Sequence, residues 1–481
     1  MSEQTIRSTI GSFSPQTALP WFAAAGVYLL LIAVAPRLLA DPDTYSHIAL
    51  GRWILEHQAV PLTDPFSATF RGAHWVAFEW LSQVIFAVAF ALGGWAGVTA
   101  LAGAAVAIAF GLLGRFLLRE LQPTASLVAL PAGLLLTAPH ILARPHVLAL
   151  PVLVAWIGAL VRTVDTRASP PWLVLPLMTL WANLHGSFTF GLAMIVPLAM
   201  ESIWRTPRSR RLDVTRLWLL FALLAFAAAC LNPYGPEMIM VTFRTVALGS
   251  ALSTVSEWRP QDFTHIGSYE LIILGAFGTA LYLGVKLPLM RLLMLFGLLH
   301  LSLSQVRHAD LLGMLGPMVL AKPLAEQFAE IAAEKVRSVR FGTRPAGLLL
   351  AVLLTLTAGL SVLRPDIAPA ANISPAAAVH AFRMAKPGTI FNDYNFGGYL
   401  DFVGIAPFID GRAELYGEAY VLRHARAVAL RDVPDFLRLL DEYRIGATLL
   451  PPAAPAVALL DRLPDWKRIY ADNVAVVHIR R

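Results

Sequence analysis

The sequence predicts an α-helical polytopic membrane protein of about 11–13 transmembrane helices that ends in a small soluble α/β domain. Three observations carry this expectation. Of the 481 residues, 57% are hydrophobic and only 14% are charged, whereas an ordinary soluble domain is roughly a quarter charged. Apolar runs of about 20 residues, enough to cross a ~30 Å hydrocarbon core, recur along the first 363 positions. From Pro365 onward the composition changes to short segments of mixed polarity.

The first run, Leu19 to Ala40, has neither a basic segment directly ahead of it nor a small-residue cleavage site, so it reads as a retained helix. A polar loop at 41–79 follows, bracketed by Asp41-Pro42-Asp43 and by Glu79-Trp80. Within it, a helix from Thr44 to His57 would be amphipathic. Ile48, Trp53, Ile54 and Leu55 would face lipid, and Arg52, Glu56 and His57 would face water.

Further candidate spans are 80–95, 98–117, 125–140, 146–163, 172–184, 188–204, 216–231, 268–285, 289–305, 309–321 and 346–363. They read as helices, since a barrel would show short alternating segments. The runs at 125–140 and 172–184 are short and interrupted, as half-crossing helices are.

Two basic clusters set the orientation. Arg205, Arg208, Arg210, Arg211 and Arg216 form one, and Lys322, Lys335, Arg337, Arg340 and Arg344 form the other; both are expected on the cytoplasmic side. The loop at 232–267, residues 306–308 and the tail then fall outside; with seven candidate spans ahead of Arg205 the opening loop would be cytoplasmic, and it joins the outer side when one of the runs at 125–140 and 172–184 is taken as a half-crossing. The same clusters explain the net charge of +7, with no call for nucleic acid as a partner. The single cysteine, Cys230, lies in an apolar run and reads as a small buried residue. No intrachain disulfide or thiolate metal site can form from it.

The division is therefore a membrane region at 1–363 and a soluble domain at 364–481 on the outer side. In the tail, "GTIFNDY", "GATLLP" and "VAVVHIRR" read as strands and "DVPDFLRLLDEY" as a helix. "FNDYNFGGYLDF" and "FIDGRAELYG" read as strand–turn segments, because Gly-Gly and Asp-Gly favour turns.

Chemistry concentrates at the span ends predicted outside. Asp43 or Asp41 could act as a general base or metal ligand, with Glu79 and His47 assisting; the plainer alternative is helix capping. Arg144 and His146 open a span, Asn183 and His185 sit between two short runs, and Asn232, Tyr234, Glu257, Arg259, Arg307, His308 and Asp310 flank others. Ionisable groups at membrane depth cost several kcal/mol and gather around cavities or one another. Carboxylates, Arg and His around one outward cavity suit a lipid-phosphate substrate, with Arg holding phosphate and a carboxylate deprotonating the acceptor. Snorkelling of Arg259 and Arg307 to headgroups is the plainer alternative. In the tail, Asp410, Arg412 and Tyr416 could bind acceptor sugar or lipid phosphate, or form a structural Asp–Arg pair.

Together, "DPDTYSHIALGRWIL", "PLTDPFSATF", "FEWLSQ", "WANLHGSF", "LNPYGPE", "SEWRPQDF" and "FNDYNFGGYLDF…PFIDGRAELYG" resemble a widespread bacterial polytopic membrane family. Its architecture is similar to that of GT-C glycosyltransferases, which use polyprenyl-phosphate sugars. The resemblance implies an essential Asp in the first outer loop, a place filled here by Asp43 or Asp41, with Glu79 matching by position only.

The resulting expectation is a glycosyltransferase, hexosyl or pentosyl, in the bacterial cytoplasmic (inner) membrane. It would move sugar from a polyprenyl-phosphate donor to an acceptor glycan, lipid or protein on the outer side. A divalent metal, Mg or Mn, would be held by Asp43 and Glu79 if one takes part. The alternative is a non-catalytic transporter or lipid-handling membrane protein.

Overall fold

A computed structural model describes residues 15–249, 256–333, 367–386 and 388–481, with isolated positions between 352 and 359. The run expected at 346–363, apart from those positions, lies outside the described residues, as do Lys335, Arg337, Arg340 and Arg344 ahead of it.

Helix α1 (Pro15–Ala33) carries the first apolar run and, after one further turn at Ala35–Leu38, hands the chain to α2 (Asp43–His57). The amphipathic pattern placed Ile48 and Ile54 of α2 against lipid. Instead both are buried within the protein, because α2 packs on α3 (Trp80–Leu117). Gly51 permits the close approach: a Cβ there would run into the Gln83 backbone. Helix α3 joins the runs expected at 80–95 and 98–117 with no loop between them. Only Gly93 and Gly94 leave helical geometry, and Gly94, at φ 56° and ψ −144°, takes a conformation open to glycine alone.

The remaining membrane-region helices are α4 (Pro123–Thr137), α5 (Pro145–Thr166), α6 (Leu175–Leu184), α7 (Phe188–Ala193), α8 (Ile195–Arg205), α9 (Arg211–Ala229), α10 (Glu237–Val246), α11 (Ser268–Tyr282), α12 (Leu289–Ser304) and α13 (Ala309–Gln327). Helices α4 and α6 are short, as their interrupted sequences suggested, and the run at 188–204 is split into α7 and α8. Among the described residues, Trp80–Leu117, Pro145–Thr166 and Arg208–Ala229 are long and apolar enough to cross a membrane. Helix α11 buries nothing and exposes Leu271, Phe277 and Leu281. A surface so apolar is stable against lipid, not water. Cys230 is half-buried rather than buried.

Helix α5 has charged groups at both ends. Arg144 precedes it, and Asp165, near its far end, lies 2.7 Å from Arg291, which also meets Glu201 at 2.6 Å. Arg291 is fully buried. With one carboxylate from α5, another from α8 and the Val319 carbonyl at 3.3 Å, each of its three nitrogens has a partner, and the group ties four helices together.

The tail runs α14 (Ala376–Ala385), β1 (Thr389–Asn392), α15 (Gly397–Phe402), α16 (Ala413–Val428), α17 (Val433–Glu442), β2 (Ile445–Leu450), α18 (Pro455–Leu460), β3 (Trp466–Ala471) and β4 (Val476–Arg480). The sheet order is β1-β2-β4-β3, with β1 and β2 parallel and β4 antiparallel to both its neighbours. Side chains alternate across it: Ile390, Ala447 and Leu449 pack on one face, Phe391 and Leu450 on the other. The two glycine-rich segments expected as strand–turn units run into α15 and α16 instead. The Asp393 carboxylate accepts the Asn395 N–H at 2.9 Å and caps the turn that leads into α15. Strand β3, with its largely exposed side chains, lacked the apolar alternation that marks a strand in sequence.

Tail and first loop are laced together. The Tyr45 hydroxyl meets Ser374 Oγ at 2.6 Å, Ala68 N–H donates to the Pro407 carbonyl at 2.8 Å, and Trp75 Nε1 donates to Glu414 at 3.0 Å.

Candidate active site where the first loop meets the tail

The Asp41 side chain accepts the Asp43 N–H at 2.8 Å, so this acidic pair opens α2 as a folded turn. The loop ahead of α5 is tied to the same place: Ala143 N–H donates to the Leu38 carbonyl at 2.7 Å and Thr44 Oγ1 to the Ala143 carbonyl at 3.1 Å. These bonds deliver Arg144 to the acidic pair. A third segment, 256–261, is held by Val306 N–H to the Arg259 carbonyl at 2.9 Å and Gln261 N–H to the Leu303 carbonyl at 3.0 Å. It brings Glu257 and Arg307.

The result is a cluster centred on a guanidinium. Arg144 lies 2.6 Å from Glu257, 3.2 Å from Asp41 and 3.0 Å from Asp43. Arg307 meets the other Glu257 oxygen at 3.3 Å and stacks over Trp258, 4.4 Å from the ring centre. Arg144 and Asp43 each keep 21% side-chain exposure, so the cluster is reachable from outside. Asp43 Oδ2 is the oxygen on Arg144. Its Oδ1 lies against Gly411 of the tail, where a Cβ would collide with it.

Behind the cluster lies a carboxyl–imidazole layer. Glu79 sits 3.3 Å from His185 Nε2 and 3.9 Å from His47 Nδ1, and His47 is 3.3 Å from the Gln83 amide. The His146 ring centre is 6.3 Å from that of His185, and its Nε2 donates to the His140 carbonyl at 2.9 Å. Asn183 accepts from Trp80 Nε1 at 2.9 Å.

These positions set the charges. Burial, then the neighbouring Asp41 carboxylate, push Asp43 up to about 7 against the pull of Arg144. Burial pushes Glu79 up to about 8 and His47 down to about 3. Glu257 is pushed up by burial, but Arg144 and Arg307 overcome that and bring it to about 2. Glu257 is thus held ionised and Asp43 lies near its midpoint at neutral pH, the condition in which a carboxylate is an effective base; burial also raises Asp41 above its ordinary value, against the pull of Arg144.

The structure brings together Asp41, Asp43, Arg144, Glu257 and Arg307, with Glu79, His47, His146 and His185 behind them. His308 follows Arg307 in the same turn. Arg259 contributes its backbone carbonyl, while its side chain is exposed. Asp410 and Arg412 form a closed ion pair that also takes in Asp64, 2.6 Å from Arg412, and the Tyr416 hydroxyl, 2.7 Å from Asp410. The pairing clamps the first loop to the tail. The sequence reading missed Gln83 and Gly411; Gly411, in the Asp-Gly step, was read only as a turn residue.

The pairing of Asp43 with Glu79 as metal ligands does not fit. Their carboxylates face different partners, Arg144 and the two imidazoles. Among the described residues no group of three His, Cys, Asp or Glu side chains is disposed to hold a metal. The three carboxylates that do converge surround a guanidinium.

An open, largely apolar groove of about 790 Å³ has Trp80, the residue after Glu79, in its wall. It is lined by Trp80, Leu180, Asn183, Cys230, Leu231 and Asn232, among others.

A helical region whose first loop carries an acidic turn and a packed helix is followed by a small C-terminal sheet, an arrangement that is GT-C-like in fold. The archaeal oligosaccharyltransferase AglB from Archaeoglobus fulgidus, in complex with an inhibitory peptide and a dolichol-phosphate, superposes with a TM-score of 0.57 at 12% identity, over 90% of this chain and 69% of that one. The apo form of the oligosaccharyltransferase from the same organism gives 0.55 at 12% identity, over 91% and 70%. At this identity the likeness establishes the fold. No protein-family model and no curated protein sequence matches the chain.

Proposed function

We propose that the chain is a membrane glycosyltransferase that moves a hexosyl or pentosyl unit from a polyprenyl-phosphate donor to an acceptor on the outer side of the bacterial cytoplasmic membrane. Its 1–363 region would cross the membrane about 11–13 times, and 364–481 would lie outside. The observation that carries this is the Asp43 carboxylate, near its midpoint at about 7, partly exposed and bracketed by Arg144 and the tail.

In this mechanism Asp43 Oδ1 takes the proton of an acceptor hydroxyl as its oxygen bonds to the anomeric carbon. The bond from that carbon to the phosphate oxygen breaks, and the lipid phosphate leaves with the electron pair. Arg144 is committed to three carboxylates and acts by holding Asp43 in place. Arg307 spends a donor on one carboxylate and has others for the departing phosphate. The groove lined by Trp80 and Leu180 suits the polyprenyl chain, because it is open and largely apolar.

The test is to reconstitute the full chain in liposomes with a polyprenyl-phosphate sugar labelled in the sugar and an envelope-glycan extract. A labelled product without the lipid, formed as lipid phosphate is released, supports transfer. Labelled donor recovered intact on the opposite leaflet would instead identify a transporter.

A further inference from the structure

The tail contains a second cavity, outside the charged cluster. It is a cleft of about 500 Å³ at the carboxyl ends of the parallel strands β1 and β2, closed by the loop ahead of β4. Crevices at this edge of parallel strands are where open α/β sheets bind ligands. Asp393 and Asn395 line it from the end of β1, the Pro451–Pro452 pair from the end of β2, and Asn473 from the third loop; Asn372 comes from the turn before α14. Its remaining wall includes Pro42, the residue between Asp41 and Asp43. The cleft therefore borders the charged cluster directly.

Its chemistry is distinctive. The side chains of Asn372, Asn395 and Asn473 are exposed and make no hydrogen bond among the described residues. Each amide offers both donors and an acceptor, which suits hydroxyl groups that need both. The one charged residue lining it is the carboxylate Asp393, and no Lys or Arg lines it, so an anion is disfavoured. Phe396, Ile373 and the prolines supply apolar surface for C–H groups.

We propose that this cleft is the acceptor subsite and that it takes a neutral, polyhydroxylated ligand, a glycan chain. The chain lies across the amides and passes over Pro42, so that its terminal hydroxyl reaches Asp43. The placement rests on the glycosyl-transfer reading, whereas glycan recognition by the three amides stands without it.

The probe is the neutral oligosaccharide pool released from the producing cells' envelope and labelled with 2-aminobenzamide. Its retention by the full-length chain in lipid nanodiscs is compared with retention by the double variant Asn395→Ala/Asn473→Ala and by Asp43→Asn. The wild type and Asp43→Asn should retain the same glycans, and the double variant should bind them about ten-fold or more weakly, with an unchanged unfolding midpoint. Equal binding by wild type and double variant, or no retention of neutral oligosaccharides by the wild type, would overturn the proposal. In the liposome assay the double variant should raise the acceptor KM and leave kcat within about two-fold. Active transfer with an unaltered KM would refute the subsite and keep the transferase. Amide-dependent binding with no transfer by the wild type would refute the transferase and keep the glycan cleft.

Discussion

At the level of single residues, the site depends on how Asp43 is loaded and aimed. Its ordinary carboxylate value is raised to about 7, by burial first and then by Asp41. A base works only when deprotonated, so the rate at saturating donor should climb as pH rises through about 7 and level off above it. A rate that falls over that interval would assign Asp43 the acid role. Gly411 offers a sharper probe, since a Cβ would strike the Asp43 carboxylate, a movable side-chain end, rather than fixed backbone. Gly411→Ala should lower kcat by about 100-fold through misplacement of the base, while the unfolding midpoint shifts by only a few degrees. Asp41, Asp43 and Glu79 stood out in the sequence because carboxylates beside an apolar run are costly. Gly411 could not stand out, since its role is to be near a residue more than 360 positions away.

At the level of elements, local pattern was legible where an element's surroundings are simple and failed where a partner overrides it. Strands β1, β2 and β4 and helix α17 follow from apolar periodicity. Helix α2 has the periodicity of an interface helix, yet it packs on α3, because Gly51 lets the two backbones approach. The glycines at 397–398 carry a turn signal that the Asp393 cap converts into a helix start. The buried Arg291–Asp165–Glu201 group was invisible for a related reason: its members lie on different helices. Arg291→Met should destabilise the membrane region by about 3–5 kcal/mol, because it strands two buried acids. The triple variant that also carries Asp165→Asn and Glu201→Gln should recover much of that loss. Thermal unfolding in detergent measures both, and an unchanged midpoint for Arg291→Met would show that the group bears no load.

At the level of the whole molecule, polar chemistry gathers at one end of the helices, and the tail closes over that end through Tyr45–Ser374, Trp75–Glu414 and Arg412–Asp64. The basic cluster at Arg205–Arg211 forms the turn between α8 and α9, next to Glu201, which pairs with Arg205 and Arg291; Arg291 in turn meets Asp165 near the end of α5 opposite Arg144. If this end is cytoplasmic, the tail is outside, and a reporter active only in the periplasm should be active when fused after Arg481. Activity of a cytoplasm-only reporter there would invert the orientation of both loop and tail. The membrane class and the tail's α/β character were legible from composition. The convergence of three distant carboxylates on Arg144 was not, because no local spacing encodes it. That convergence is what makes Asp43 a candidate base, and it is tested most directly by the turnover of a labelled polyprenyl-phosphate sugar in liposomes by the wild type and Asp43→Asn at equal amounts of folded protein. Transfer by the wild type and a loss of at least about 1000-fold in the variant is the predicted result; equal turnover by the two proteins would remove Asp43 from the chemistry.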